Sequence, residues 1–246
     1  ARAPQMAGGQ SGGSDGKPDG RQGGGSDCRA DGCPIPINAG GIAFKDARKT
    51  ASFRLIVAAE ALWGLAIIPA VAVMPAHLSD KGLSPLFVSG TAMACMFAVS
   101  AASKLLAGVV SDRLGPAAMV VSISAAGTAA TLLLALADGE KGAVACAVFM
   151  GMAFSCMTMP IPLLSGAIFG ERAIAELSGF FSAVLTLFGA AGAPLCNLAY
   201  DRLGTYAPAF AAQAAFFAAA AAAGALALKL RPRIGATWPQ GGRAGR

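Results

Sequence analysis

Charge is scarce in this chain. Only 13% of its 246 residues are Asp, Glu, Lys or Arg, against roughly a quarter in a soluble domain whose surface faces water. The middle is poorer still: Lys17, Arg21, Lys45, Arg48, Lys49 and Arg54 precede it, and Lys229, Arg231, Arg233, Arg243 and Arg246 follow it. The net charge of +6 is therefore no nucleic-acid footprint, which needs a basic stripe on one folded face. Histidine is rarer, with His77 alone. No nucleophile–base pair, ligand cluster or glycine-rich phosphate loop accompanies it, so no enzyme, metal site or cofactor is expected. The 6 cysteines make no disulfide framework. Cys95, Cys146, Cys156 and Cys196 lie in apolar runs, where a thiol acts as a small hydrophobe. Cys28 and Cys33 lack the second cysteine pair or histidine that zinc requires. A charged segment leading into an apolar one is missing before residue 50, so no signal peptide is expected. The first residue is Ala1, and a trimmed or incomplete gene product is one expectation.

What the chain does have is apolar length. Six runs cover about 54–76, 86–110, 117–137, 143–169, 176–199 and 207–229, and crossing hydrocarbon takes roughly 20 helical residues. They do not alternate in polarity, which excludes barrel strands, and they lack the polar stripe of a soluble helix. An all-α polytopic membrane protein with six transmembrane helices is the expected fold, with the lipid bilayer as its first partner. Three segments follow: a Gly-rich tail or linker over 1–50, a transmembrane domain over 51–230, and a basic tail over 231–246. The first is too poor in apolar side chains to offset the entropy of ordering. Six spans put both ends on one side, and the terminal Lys/Arg clusters place that side in the cytoplasm, most simply at the plasma membrane. Pro69, Pro160, Pro162 and Pro194 fall inside spans and predict kinks or freed carbonyls.

One tetrapeptide recurs. Asp112-Arg113-Leu114-Gly115 returns as Asp201-Arg202-Leu203-Gly204, an offset of 89. The same offset carries the first span to the fourth and the third to the sixth. Two consecutive three-helix units follow, and an odd number of spans per unit makes the second enter from the opposite side. Such inverted repeats build many secondary transporters. In the first copy Gly108 allows close backbone approach, Asp112 can accept from Arg113 or from a helix start, and Gly115 permits a sharp turn. The result is either a gate latch or a loop ion pair that fixes topology.

The stretch GVVSDRLG resembles the loop motif of the major facilitator superfamily, G-x-x-x-D-R/K-x-G-R/K, matched here by Gly108, Asp112, Arg113 and Gly115. Pro116 stands where the last basic residue is expected. The segment GAPLCNLAYDRLGTYAPAF looks like the junction of the last two helices in the monocarboxylate and oxalate–formate branch, through Gly192, Pro194, Asp201, Gly204, Tyr206 and Phe210. The resemblance covers residues 50–230 and the C-terminal six-helix half. It implies an alternating-access carrier for small organic anions such as monocarboxylates, completed by a missing N-terminal half or by a second copy. A non-transporting six-helix interaction protein is the alternative.

The charged residues within spans are the candidates for function. Lys104 lies about 9 Å inside the second span, where an ion must snorkel, pair or face a wet cavity. The resemblance implies that it holds the substrate anion. Glu60 enters the first span to similar depth, so a Glu60–Lys104 pair is expected, as a static brace or as a group that exchanges protons and couples H+ to transport. Asn197 and Ser155 are polar groups that can bond between helices or line the path, Ser155 together with Cys156 and Thr158 before the Pro160/Pro162 break. His77 is expected to be solvated in a loop.

Overall fold

The computed structural model describes residues 41–136, 138–155 and 159–230. Their regular elements are all helical: α1 Phe44–Ala47, α2 Ala51–Asp80, α3 Met93–Leu114, α4 Pro116–Leu136, α5 Gly139–Phe154, α6 Pro160–Phe169, α7 Ile174–Leu203 and α8 Ala207–Lys229. A wide π turn, Phe87–Ala92, feeds directly into α3. The protein is thus an all-α, polytopic membrane protein. Residues 1–40 and 231–246, expected as tails, lie outside the described residues, as do Cys28, Cys33, Cys156 and Thr158.

Five helices are long and apolar enough to cross a bilayer, one fewer than the sequence suggests. The difference is the run 143–169, which divides into α5 of 16 residues and α6 of 10. Neither alone reaches the roughly 20 residues a span needs. Pro160 and Pro162 explain the division. Inside a helix each would remove a donor and clash with the preceding turn, but in the first turn of a new helix the missing N–H is harmless. Elsewhere the helices outrun their apolar runs. Ser111, Asp112 and Arg113 belong to the last turns of α3, and Asp201 and Arg202 to those of α7.

Helix ends follow local chemistry. The Thr50 hydroxyl accepts the Phe53 N–H at 3.2 Å and caps α2. Gly115 (φ +87) and Gly204 (φ +69) close α3 and α7 in backbone that L side chains rarely adopt. Their N–H groups return to the carbonyls of Ser111 at 3.0 Å and Tyr200 at 2.7 Å. Residues 41–50, counted with the tail on composition, pack onto the bundle. The Ile42 N–H reaches the Phe169 carbonyl at 2.9 Å, and the Phe44 ring meets those of Phe53 and Phe180 edge-on.

The bundle is organised around α2 and α4. Helix α2 packs most extensively on α7 and α8, α4 on α8 and α5, and α3 on α5. Without a hydrophobic force between helices in lipid, close approach through small residues holds such seams. A side chain at Gly64 would overlap the Leu185 carbonyl, and one at Gly151 would overlap that of Met96. Gly189 and Gly192 receive Ile68 and Pro69 on the same α2–α7 seam, and Gly127 receives the Phe217 ring. Trp63, wholly buried, donates from Nε1 to Ser124 Oγ at 3.0 Å and ties α2 to α4. Ser124→Ala would leave that indole N–H unpaired, at a cost of about 1–3 kcal/mol. Thermal unfolding in detergent should register the loss, and Trp63→Phe added to Ser124→Ala should recover much of it, since no donor is then orphaned.

Candidate functional site

Glu60 is the most unusual residue of the fold. It lies on α2, fully buried, and neither carboxylate oxygen has a hydrogen-bond partner. Helical spacing puts it between Gly64, which abuts α7, and Trp63, which reaches α4. It therefore points into the interior of the bundle. Desolvating an ionised carboxylate costs several kcal/mol unless it is paired.

Lys104 is half-buried on α3, and no ion pair or hydrogen bond to it occurs among the described residues. The structure does not bring Glu60 and Lys104 together. Equal depth is not contact: α3 packs on α5 and α4, and α2 on α7 and α8. The expected brace is absent for that reason.

The loop residues also stand apart. Asp112 and Arg113 are exposed at the end of α3, and among the described residues the ion pairs are Lys49–Asp46 and Lys81–Asp138. Neither the latch nor the topology-fixing pair forms here. A side chain at Gly108 would meet nothing within 4 Å, so the close approach expected there is not made. Gly192 does make one, against the Pro69 ring and the Leu65 carbonyl. Pro194, Asp201 and Arg202 are exposed on α7, as is Asn197, while Cys196 beside it is buried. Ser155 is buried at the end of α5, and its hydroxyl donates back to the Met152 carbonyl at 2.7 Å. That bond occupies its only donor.

His77 was hidden from sequence reasoning. Far from being solvated, it is 7% exposed, with Nε2 2.9 Å from the Leu134 carbonyl and its ring edge-on to Tyr206 and Phe210. Around it, Lys81 pairs with Asp138 at 3.2 Å. Tyr200 stacks on Tyr206 at 4.3 Å and donates to Asp80 at 3.1 Å. This cluster ties the ends of α2, α4, α7 and α8. Its only signal in the sequence was the pairing of one histidine with the aromatic pair Tyr200 and Tyr206 at a helix junction. Among the described residues no group of three or more His, Cys, Asp or Glu could hold a metal.

Among the described residues the helices form a polytopic membrane domain that encloses one unpaired carboxyl, Glu60. The family model of the Major Facilitator Superfamily matches residues 27–243, and the chain belongs to that superfamily. No curated protein matches the chain.

Proposed function

We propose that the chain is one half of a secondary active carrier that moves small organic anions, such as monocarboxylates, by alternating access and couples them to protons. The observation that carries this reading is Glu60, a wholly buried carboxyl with neither oxygen paired. A group that is costly to ionise where it sits, and that loses its proton only when the bundle rearranges, links proton movement to conformational change. Lys104 supplies the anion contact, as a point charge on α3, and Asn197 lines the same path from α7. The loop residues Gly108, Asp112, Arg113 and Gly115 act as a latch in another state of the cycle. The plasma membrane, with both ends of the chain cytoplasmic, is the setting that the terminal basic clusters favour.

Inverted repeats build many alternating-access carriers, and three observations support one that exchanges α2 with α5/α6, α3 with α7 and α4 with α8. First, the extensive pairings α2·α7 and α2·α8 become α5·α3 and α5·α4, which are also extensive, while α4·α8 maps onto itself. Second, the buried residues of the Phe87–Leu114 rod are Val88, Ala92, Met96, Ser100, Ser103 and Ala107. Moved by the offset of 89 they become Leu177, Phe181, Leu185, Gly189, Gly192 and Cys196, the buried set of α7. Third, Gly64 abuts the Leu185 carbonyl and the Gly189 N–H, while Gly151 abuts the Met96 carbonyl and the Ser100 N–H. Those neighbours are equivalent under the same offset.

The test is uptake of radiolabelled small carboxylates into proteoliposomes, by the chain alone and by the chain fused to a candidate first half. Lys104→Ala removes a charged contact worth about 1.5–3 kcal/mol, so KM should rise by roughly ten- to a hundredfold, with Lys104→Arg retaining most of the affinity. No uptake by either preparation would favour the non-transporting interaction protein.

A further inference from the structure

One cavity is lined by neither Glu60 nor Lys104. It occupies about 280 Å³ between α2, α7 and α8, and is lined by Leu65, Gly192, Leu195, Cys196, Gln213 and Phe216. Its origin is plain. Helices α7 and α8 are joined by a tight turn yet scarcely touch along their length, because Ala199 and Ala209 at the gap are too small to fill it.

The lining is apolar except at one place. Gln213 is 1% exposed, and its Nε2 donates to Cys196 Sγ at 3.2 Å while its Oε1 has no partner. Turning the amide over changes the ends without mending this. The thiol would then donate to Oε1, and Nε2 would be the orphan. Either way one end of a buried amide is left without a bond in an apolar cavity, a costly arrangement that a ligand can relieve.

The chemistry narrows the ligand. No charged side chain lines the cavity, so an ion would meet no counter-charge. A lone water would find only the amide and the thiol, fewer than the roughly three partners buried waters usually hold. A lipid acyl chain fits the walls but leaves the amide as it was. A hydroxyl both donates and accepts, and so completes either orientation of Gln213. The cavity lies at the low end of the roughly 300–1,000 Å³ typical of ligand pockets, which limits the apolar part to a short chain. We propose that the α2–α7–α8 cavity is a binding site for a medium-chain aliphatic alcohol drawn from the bilayer. The hydroxyl sits on the Gln213 amide and the chain lies along Leu65, Leu195 and Phe216. This site is independent of the anion path and does not rest on it.

Photolabelling in lipid nanodiscs tests it. The full chain is irradiated with a diazirine-bearing octanol, or with a diazirine-bearing octane that lacks the hydroxyl, and adducts are mapped by mass spectrometry. The octanol probe is expected to label Leu65 and residues 192–216 and to be displaced by unlabelled octanol. Gln213→Leu should reduce that labelling roughly two- to tenfold, the range of one neutral hydrogen bond, without changing labelling by the octane. Ala209→Phe, which fills the gap and keeps the amide, should remove labelling by both probes. It also decides the matter if the leucine variant does not fold. Equal octanol labelling of wild type and Gln213→Leu would overturn the proposal and make the cavity an acyl-chain cleft only. So would adducts that lie outside Leu65 and residues 192–216, or that survive Ala209→Phe.

Discussion

Glu60→Gln is expected to abolish concentrative, pH-driven uptake in proteoliposomes while leaving down-gradient exchange of the same substrate. Glutamine keeps the shape and volume of the side chain and cannot release a proton. Because neither Glu60 oxygen is bonded in this structure, the substitution breaks no contact, so the folded protein should be as stable as wild type. The expected effect on coupling is total, because the described part of the spans holds a single acidic residue away from the helix ends. The measurement is accumulation against an imposed pH gradient, with counterflow in the same vesicles as the control. Accumulation that keeps its size and pH dependence in the variant would remove Glu60 from the mechanism.

Gly64→Val and Gly151→Val should each lose most of the folded protein. At both sites the obstacle is a neighbouring helix backbone, the carbonyls of Leu185 and Met96, and a backbone cannot swing aside as a side chain tip can. Overpacking of this kind costs about 1–3 kcal/mol, and these sites fall at its upper end. Both glycines face a backbone carbonyl of a packed neighbour, so similar falls in detergent unfolding temperature are expected. Gly108→Ala is the counterpart. Its surroundings are open, and alanine gains up to about 1 kcal/mol of helix propensity over glycine. Folding should improve slightly, and any uptake lost in that variant reports a contact made elsewhere in the transport cycle. A harmless Gly64→Val would contradict the packing of the α2–α7 seam.

Several features were legible because they depend on one dimension, position along the chain. Hydrocarbon demands long apolar runs, and five of the six expected runs are helices able to cross a membrane. Gly115 and Gly204 announced their turns because positive φ is open to few other residues. The division of the fourth run was half visible. Pro160 and Pro162 marked a disturbance, but whether two prolines bend a helix or begin a new one depends on what surrounds the break.

What the amino-acid sequence determined by itself is the medium and the order of elements: residues 51–229 hold apolar helices, turned at Gly115 and Gly204. What only the tertiary structure decided is the rotation of each helix about its axis and the choice of its neighbours. Nearly every face of these helices is apolar, so hydropathy does not say which way Glu60, Lys104 or His77 points. Small residues do that instead, through backbone approaches such as Gly64 to Leu185. Those approaches turned Glu60 inward and kept Lys104 on a helix with a different partner, and the packing of α8 against α2 left His77 buried against Phe210.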